Sequence, residues 1–190
     1  RVSAHAAAQK FPTGPYTLLG VEAALVARDY RGALTAIREH LTTDNDWARH
    51  HRALFDSLQA LAHFGLGEAP QARASLASFL AHPNLRSDNL LAVANRFAAL
   101  EGSGHAWQIL ARAIELDPRN QTALTRLIEL DLELGRMAEL SLHLRQFVKM
   151  RRPSPDILRV VRYKLGSDLW LFSAETPATL AVVEKALAQF

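Results

Sequence analysis

Three prolines, Pro83, Pro118 and Pro153, stand at equal intervals of 35 residues, and Pro12 precedes Pro83 by 71, close to twice that spacing. Proline has no N–H to donate and its ring clashes with the preceding helical turn, so prolines at a fixed interval mark where helices end. A period of roughly 20 to 50 residues is the signature of stacked repeats, one small unit copied along the chain. Where the ladder wants a marker near position 47, the chain has Asp44-Asn45-Asp46 instead. A chain of 190 residues punctuated in this way reads as an array of about five units rather than one domain around a single core.

Each unit reads as two helices with a break in the middle. The breaks fall at Asp29-Tyr30-Arg31-Gly32, Gly65-Leu66-Gly67, Gly102-Ser103-Gly104 and Gly135. Before the break runs a helix-period apolar row, such as Leu90, Val93, Ala94 and Phe97, or Leu124, Leu127, Ile128 and Leu134. After it runs a second: Ala33, Ile37 and Leu41; Ala72, Leu76 and Phe79; Ala106, Leu110 and Ala113; Leu140, Leu144 and Phe147. Small residues opening most of the second helices let the paired helices approach closely. Composition agrees, because Ala and Leu dominate the apolar set and aromatics are only 7%, which favours helix over strand.

The expected organisation is a tail of a preceding helix or linker over 1–12, four helix pairs over 13–47, 48–83, 84–118 and 119–153, and a degenerate or capping pair over 154–190. Ser154-Pro155 and Thr176-Pro177 place a hydroxyl at the cap and proline at the first helical position, with Gly14-Pro15 a weaker version. The first helix of the last pair is expected to be longer than the others, reaching Gly166, Trp170 and Phe172. Ala4 to Pro12 reads as the end of a second helix from an earlier unit, which points to a longer repeat region.

The third unit, Ser87 to Asn120, resembles a tetratricopeptide repeat: Leu90 at the bulky position, Val93-Ala94, Phe97 at the aromatic position, then Ala106, Leu110, Ala113 and the terminal Asp117-Pro118-Arg119-Asn120. Asp29 to Leu34 and Gly67 to Phe79 are similar to other parts of the same unit. The fourth unit departs from it, with Asp131 at the aromatic position and Leu140 at a small one. The resemblance implies an all-α superhelix, a solenoid of about five antiparallel helix pairs whose first helices line a concave groove for a peptide or a partner helix. It also implies no catalytic role. One subset of the family grips a C-terminal carboxylate with Lys, Arg and Asn on successive groove helices. Asn95 stands where such an Asn falls, but Leu91, Leu18, Glu22, Ser57 and Leu61 occupy the companion positions, so the clamp is expected to be absent. The groove candidates are therefore Glu22, Asn95, Arg126 and Glu129, set among apolar side chains.

Chemistry is otherwise excluded by pattern. With no Cys, disulfide scaffolds, Cys-based zinc modules and thiol enzymes are ruled out. No phosphate-binding, dinucleotide, nucleophile-elbow or zinc-protease motif occurs, and Gly102-Ser103-Gly104 is a helix-to-helix turn. Eight His include two helical pairs with acids, Asp46 with His50 and Glu139 with His143, but zinc needs three or four ligands, so no metal and no cofactor are expected. Of His50 and His51, one is expected in solvent and the other at an interhelix seam. Apolar runs such as Leu169 to Phe172 fall far short of the roughly 18 residues of a membrane span. The compartment stays open between cytoplasm and periplasm.

Net charge is only +3, yet residues 145–164 hold seven cations, Arg145, Lys149, Arg151, Arg152, Arg159, Arg162 and Lys164, against the single acid Asp156. The bland reading is either cross-repeat ion pairs of Arg159, Arg162 and Lys164 with Glu129, Asp131 and Glu133 of the neighbouring helix or a plain solvated face. The sharper one is an anionic ligand, lipid head group or nucleic acid. Nucleic acid is disfavoured because only Phe147 and Tyr163 are available for stacking. The expected function is a non-catalytic protein-protein interaction scaffold. The alternative is an accessory repeat domain of a larger enzyme or envelope or secretion assembly.

Overall fold

The computed structural model describes residues 14–42, 46–100, 102–150, 152–166 and 174–190. The chain divides into two compact units, Arg1–Leu85 and Arg86–Phe190. Among the described residues there are helices and turns and no strand. None of the helices among the described residues is long and apolar enough to cross a membrane.

Unit 1 holds α1 (Gly14–Val26), α2 (Tyr30–Thr42), a short α3 (Asp46–His50), α4 (Arg52–Gly65) and α5 (Ala69–Leu80). α1 packs on α2, α2 on α4 and α4 on α5. Val21, Ala33, Ile37, Phe55, Leu58 and Ala62 form a shared core, with Leu18, Tyr30 and Trp47 around it. Each buried Leu, Ile or Phe side chain withdraws apolar area worth about 1.5 to 3 kcal/mol, which no single helix pair gathers enough of to stand alone. The short α3 is an element the proline spacing does not reveal, and it begins at Asp46, where the ladder lacks its proline.

Unit 2 holds α6 (Ser87–Ala98), α7 (Ser103–Leu116), α8 (Gln121–Leu134), α9 (Met137–Phe147), α10 (Pro155–Leu165) and α11 (Thr176–Leu187). The first helices α6, α8 and α10 are neighbours in order, and the second helices α7, α9 and α11 each complete a pair. Leu90, Val93, Ala94 and Phe97 of α6 are buried as their spacing predicts, as are Ala106, Leu110 and Ala113 of α7 and Leu140, Leu144 and Phe147 of α9. Leu134 departs from the expected row: it is 37% exposed, because the helix ends at that residue.

The turns inside the pairs close alike. The N–H of Asp29, Glu68, Gly102 and Arg136 each donates to the carbonyl five residues back, on Ala24, His63, Phe97 and Asp131, at 2.8 to 3.0 Å. Such a closure takes a left-handed residue just past the helix, and Gly67 (φ 74°) and Gly135 (φ 70°) supply it without steric cost. Arg28 does so in the first pair at φ 59°, against the preference of an L side chain. Pro83, Pro118 and Pro153 all lie in connections outside the helices. Amide side chains stitch two of these connections in unit 2. Asn120 Oδ1 accepts from Ala123 N (3.0 Å) as the cap of α8, and its Nδ2 donates to Ser87 Oγ (2.9 Å) and Asp88 Oδ1 (3.1 Å) at the start of α6. Gln146 Nε2 donates to Pro118 O (2.9 Å) and Gln121 Nε2 to Arg152 O (3.1 Å).

Two predicted caps change. Thr176 is the first residue of α11 and buried, with Glu175 before it, because Pro177 occupies the second helical position rather than the first. Ser154 does precede α10 in extended backbone, but its hydroxyl makes no capping bond. α10 ends at Leu165; Trp170 and Phe172, like the stretch Ala4 to Pro12, lie outside the described residues.

Candidate interaction surface

The first helices of unit 2 differ in what they leave to solvent. α6 buries one row and leaves Asn95 exposed on the side away from it. α8, flanked by both other first helices, buries Ala123, Leu124, Leu127, Ile128, Leu130, Asp131 and Leu132, so Arg126 and Glu129 are half-buried within a narrow remaining strip. They face each other, Arg126 Nη1 donating to Glu129 Oε2 at 2.6 Å. α10 buries only Leu158, Val161 and Leu165, leaving Arg159, Val160, Arg162, Tyr163 and Lys164 in solvent. Glu22 lies half-buried on α1 of unit 1.

The expected pairing of Glu129, Asp131 and Glu133 with the cations of α10 is replaced by other partners. Glu129 takes Arg126, and Glu133 accepts a bond from Ser103 Oγ on α7. Arg159 Nη1 bonds Asp156 on its own helix (2.8 Å), and Arg162 Nε reaches Glu184 on α11 (2.6 Å). The basic run is also shared between layers. Arg145 belongs to α9 and Lys149 to the turn after it, Arg152 to the following connection, and Arg159, Arg162 and Lys164 to α10. Arg151 lies outside the described residues.

Asp131 has a different role. It is fully buried, with Oδ1 accepting from Trp107 Nε1 of α7 (2.7 Å) and Oδ2 from His143 Nδ1 of α9 (2.6 Å). Arg136 lies over the Trp107 ring at 4.1 Å. The carboxylate thus ties two second helices to the first helix between them. Unit 1 also buries a carboxylate, but ties only one second helix with it: Asp56 of α4 accepts from Arg52 Nε on its own helix (2.9 Å), Ser78 Oγ of α5 (3.0 Å) and His82 Nε2 just beyond α5 (2.9 Å). Both acids satisfy the requirement that buried carboxylates be hydrogen-bonded. Sequence reasoning missed both networks, since apart from the local Arg52 the donors lie 22 and 26 residues from Asp56, and 12 and 24 from Asp131. The signal present was an acid where the repeat pattern wants an aromatic, at Asp131.

The histidine-acid pairs read from the sequence part company. His143 turns to Asp131 while Glu139 pairs with Arg136 (3.6 Å). His50 Nδ1 donates to the backbone carbonyl of Asp46 (2.7 Å), and the Asp46 side chain bonds Arg49, whose guanidinium holds that carboxyl below its usual pKa. Among the described residues no three His, Asp or Glu side chains come together as a metal site. His50 is exposed and His51 stacks on Trp47 at 4.0 Å between ring centres, so the pair divides between solvent and seam as expected. His40 is buried against Trp47 and Phe55, its Nε2 has no hydrogen-bond partner among the described residues, and burial lowers its pKa.

No protein-family model matches the chain, and no curated protein matches it in sequence. Solved structures do. A crystal structure of MamA protein aligns over 93% of this chain and 91% of its own, at 13% identity and a TM-score of 0.50. A second structure of MamA aligns over 89% and 95%, at 12% identity and 0.47. YrrB, a TPR protein with an unusual peptide-binding site, aligns over 88% and 83%, at 12% identity and 0.46. The chain has the tetratricopeptide-like helical-repeat fold, all-α and built of antiparallel helix pairs.

Proposed function

We propose that the chain is a non-catalytic protein-interaction scaffold, and that the first-helix layer of unit 2 receives an extended segment or a helix of a partner protein. The observation that carries this reading is the division of labour between faces. The second helices and the inner faces of the first are committed to core and to the buried Asp131 network, while α6, α8 and α10 stand side by side with Asn95, Arg126, Glu129 and Arg159 turned away from that core. A polar row beside a half-buried strip suits an extended peptide or an amphipathic helix held by a few anchors. Glu22 is proposed to play the corresponding part on α1 of unit 1.

Arg126→Glu combined with Asn95→Ala tests the reading. Peptides selected by display on the wild-type chain are expected to lose binding to the double variant while its helical circular dichroism is unchanged. Retained binding counts against this face.

A further inference from the structure

We propose that the exposed face of α10 docks an acidic peptide segment carrying one large apolar side chain. The inference rests on the scaffold reading above and gives the chemistry of the partner at one end of the first-helix layer.

Two features coincide on this helix. Tyr163 is 81% exposed and Val160 50%, three residues apart and therefore on one side of the helix. Singly exposed apolar residues are ordinary, but here the pair is flanked by Arg159, four residues before Tyr163, and by Arg162. Tyr and Arg are the residue types that most often carry interface energy, the ring as an apolar platform with a polar tip and the guanidinium as a fork for carboxylates. Between Pro155 and Leu165 the helix carries three cations and one acid, Glu184 of α11 stands against Arg162 and leaves the face with a net positive charge, and α8 beside it spends Glu129 and Glu133 on Arg126 and Ser103. The surface therefore complements a negative segment.

The existing pairs do not oppose such a partner. Arg159 with Asp156 and Arg162 with Glu184 are solvent-exposed, their side chains between 46% and 80% accessible. Exposed ion pairs contribute little to stability, so both guanidinium groups can re-form bonds to incoming carboxylates. An apolar side chain laid on Tyr163 and Val160 would remove water from these bonds and strengthen them.

The test measures binding to the full chain by fluorescence anisotropy. The probe is a short labelled peptide of Asp and Glu with one central Phe. Replacing that Phe by Ala, or the acids by Lys, is expected to weaken binding by about tenfold or more, as is Tyr163→Ala in the protein. Arg159→Glu with Arg162→Gln should abolish it, and added salt should weaken it. The proposal is overturned if the acidic peptide does not bind, if its Lys counterpart binds as well, or if Tyr163→Ala has no effect. Tighter binding of a single-stranded oligonucleotide or of phosphatidylserine vesicles also overturns it. Display-selected peptides that depend on Asn95 and Arg126 but not on Tyr163 would overturn the α10 assignment and leave the scaffold reading standing. Selection of no peptide at all would overturn both.

Discussion

Replacing Asp131 by Ala should be among the most damaging single changes in unit 2. The carboxylate is wholly buried and takes one bond at 2.7 Å from Trp107 Nε1 and one at 2.6 Å from His143 Nδ1. Its removal strands both donors. His143 is 8% exposed, so its ring nitrogen cannot recover a full set of bonds from water, whereas Trp107 is half-buried and recovers part. Hydrogen bonds to a charged acceptor are worth about 1.5 to 3 kcal/mol each, and the relief of carboxylate desolvation offsets some of that loss. The net expectation is a loss of about 3 kcal/mol. With a urea dependence of about 2 kcal/mol per molar, the unfolding midpoint should fall by about 1.5 M. Trp107 fluorescence reads the transition at the site itself. Asp131→Asn, which keeps one acceptor but turns an amide donor toward a second donor, should lose about half as much. Replacing the network by apolar residues together, Trp107→Phe, Asp131→Leu and His143→Leu, should return stability to within about 1 kcal/mol of the wild type. A midpoint shift for Asp131→Ala below about 0.5 M would refute the reasoning.

Three further outcomes are expected. Burial holds the folded pKa of His40 below its ordinary 6.5, so the unfolded chain takes the proton first. Stability of unit 1 should therefore be unaffected by His40 above 6.5 and fall as pH drops from 6.5 towards the lowered value, the difference between wild type and His40→Phe in urea midpoints from about pH 8 to about pH 5 reporting it. A Cβ on Gly65 would sit against the Tyr30 ring, 2.7 Å from Cε2, so Gly65→Ala should cost about 1 to 3 kcal/mol in thermal unfolding of unit 1. Asn120→Ala removes the cap of α8 and its ties to Ser87 and Asp88, and a loss of about 1 to 2 kcal/mol in urea unfolding is expected.

Much of this fold is legible in the sequence because its determinants are local and repeat. Pro118 and Pro153 mark the connections between pairs, Gly67 and Gly135 close turns by their own backbone freedom, and Leu90, Val93, Ala94 and Phe97 announce a buried row by spacing alone. The candidate surface was legible as residue types, with Asn95, Arg126 and Glu129 on first helices and the cations crowded after Arg145. The partners of those residues were not. Spacing put Glu129, Asp131 and Glu133 opposite the arginines of α10, yet rotation about the axis of α8 turns Asp131 inward, towards α7 and α9.

What the sequence by itself determined is the period, the helix pairs and the apolar rows, since each depends on chain geometry within a few residues. The tertiary structure alone decided which charges meet. Asp56 gathers Ser78 and His82, Asp131 gathers Trp107 and His143, and Arg162 finds Glu184, each across a distance in sequence that no periodicity encodes. The physical reason is that burying a carboxylate is tolerable only where neighbouring helices deliver donors to it. The place of Asp131 in the repeat puts it on the buried row of α8, but which donors meet it there is settled by packing.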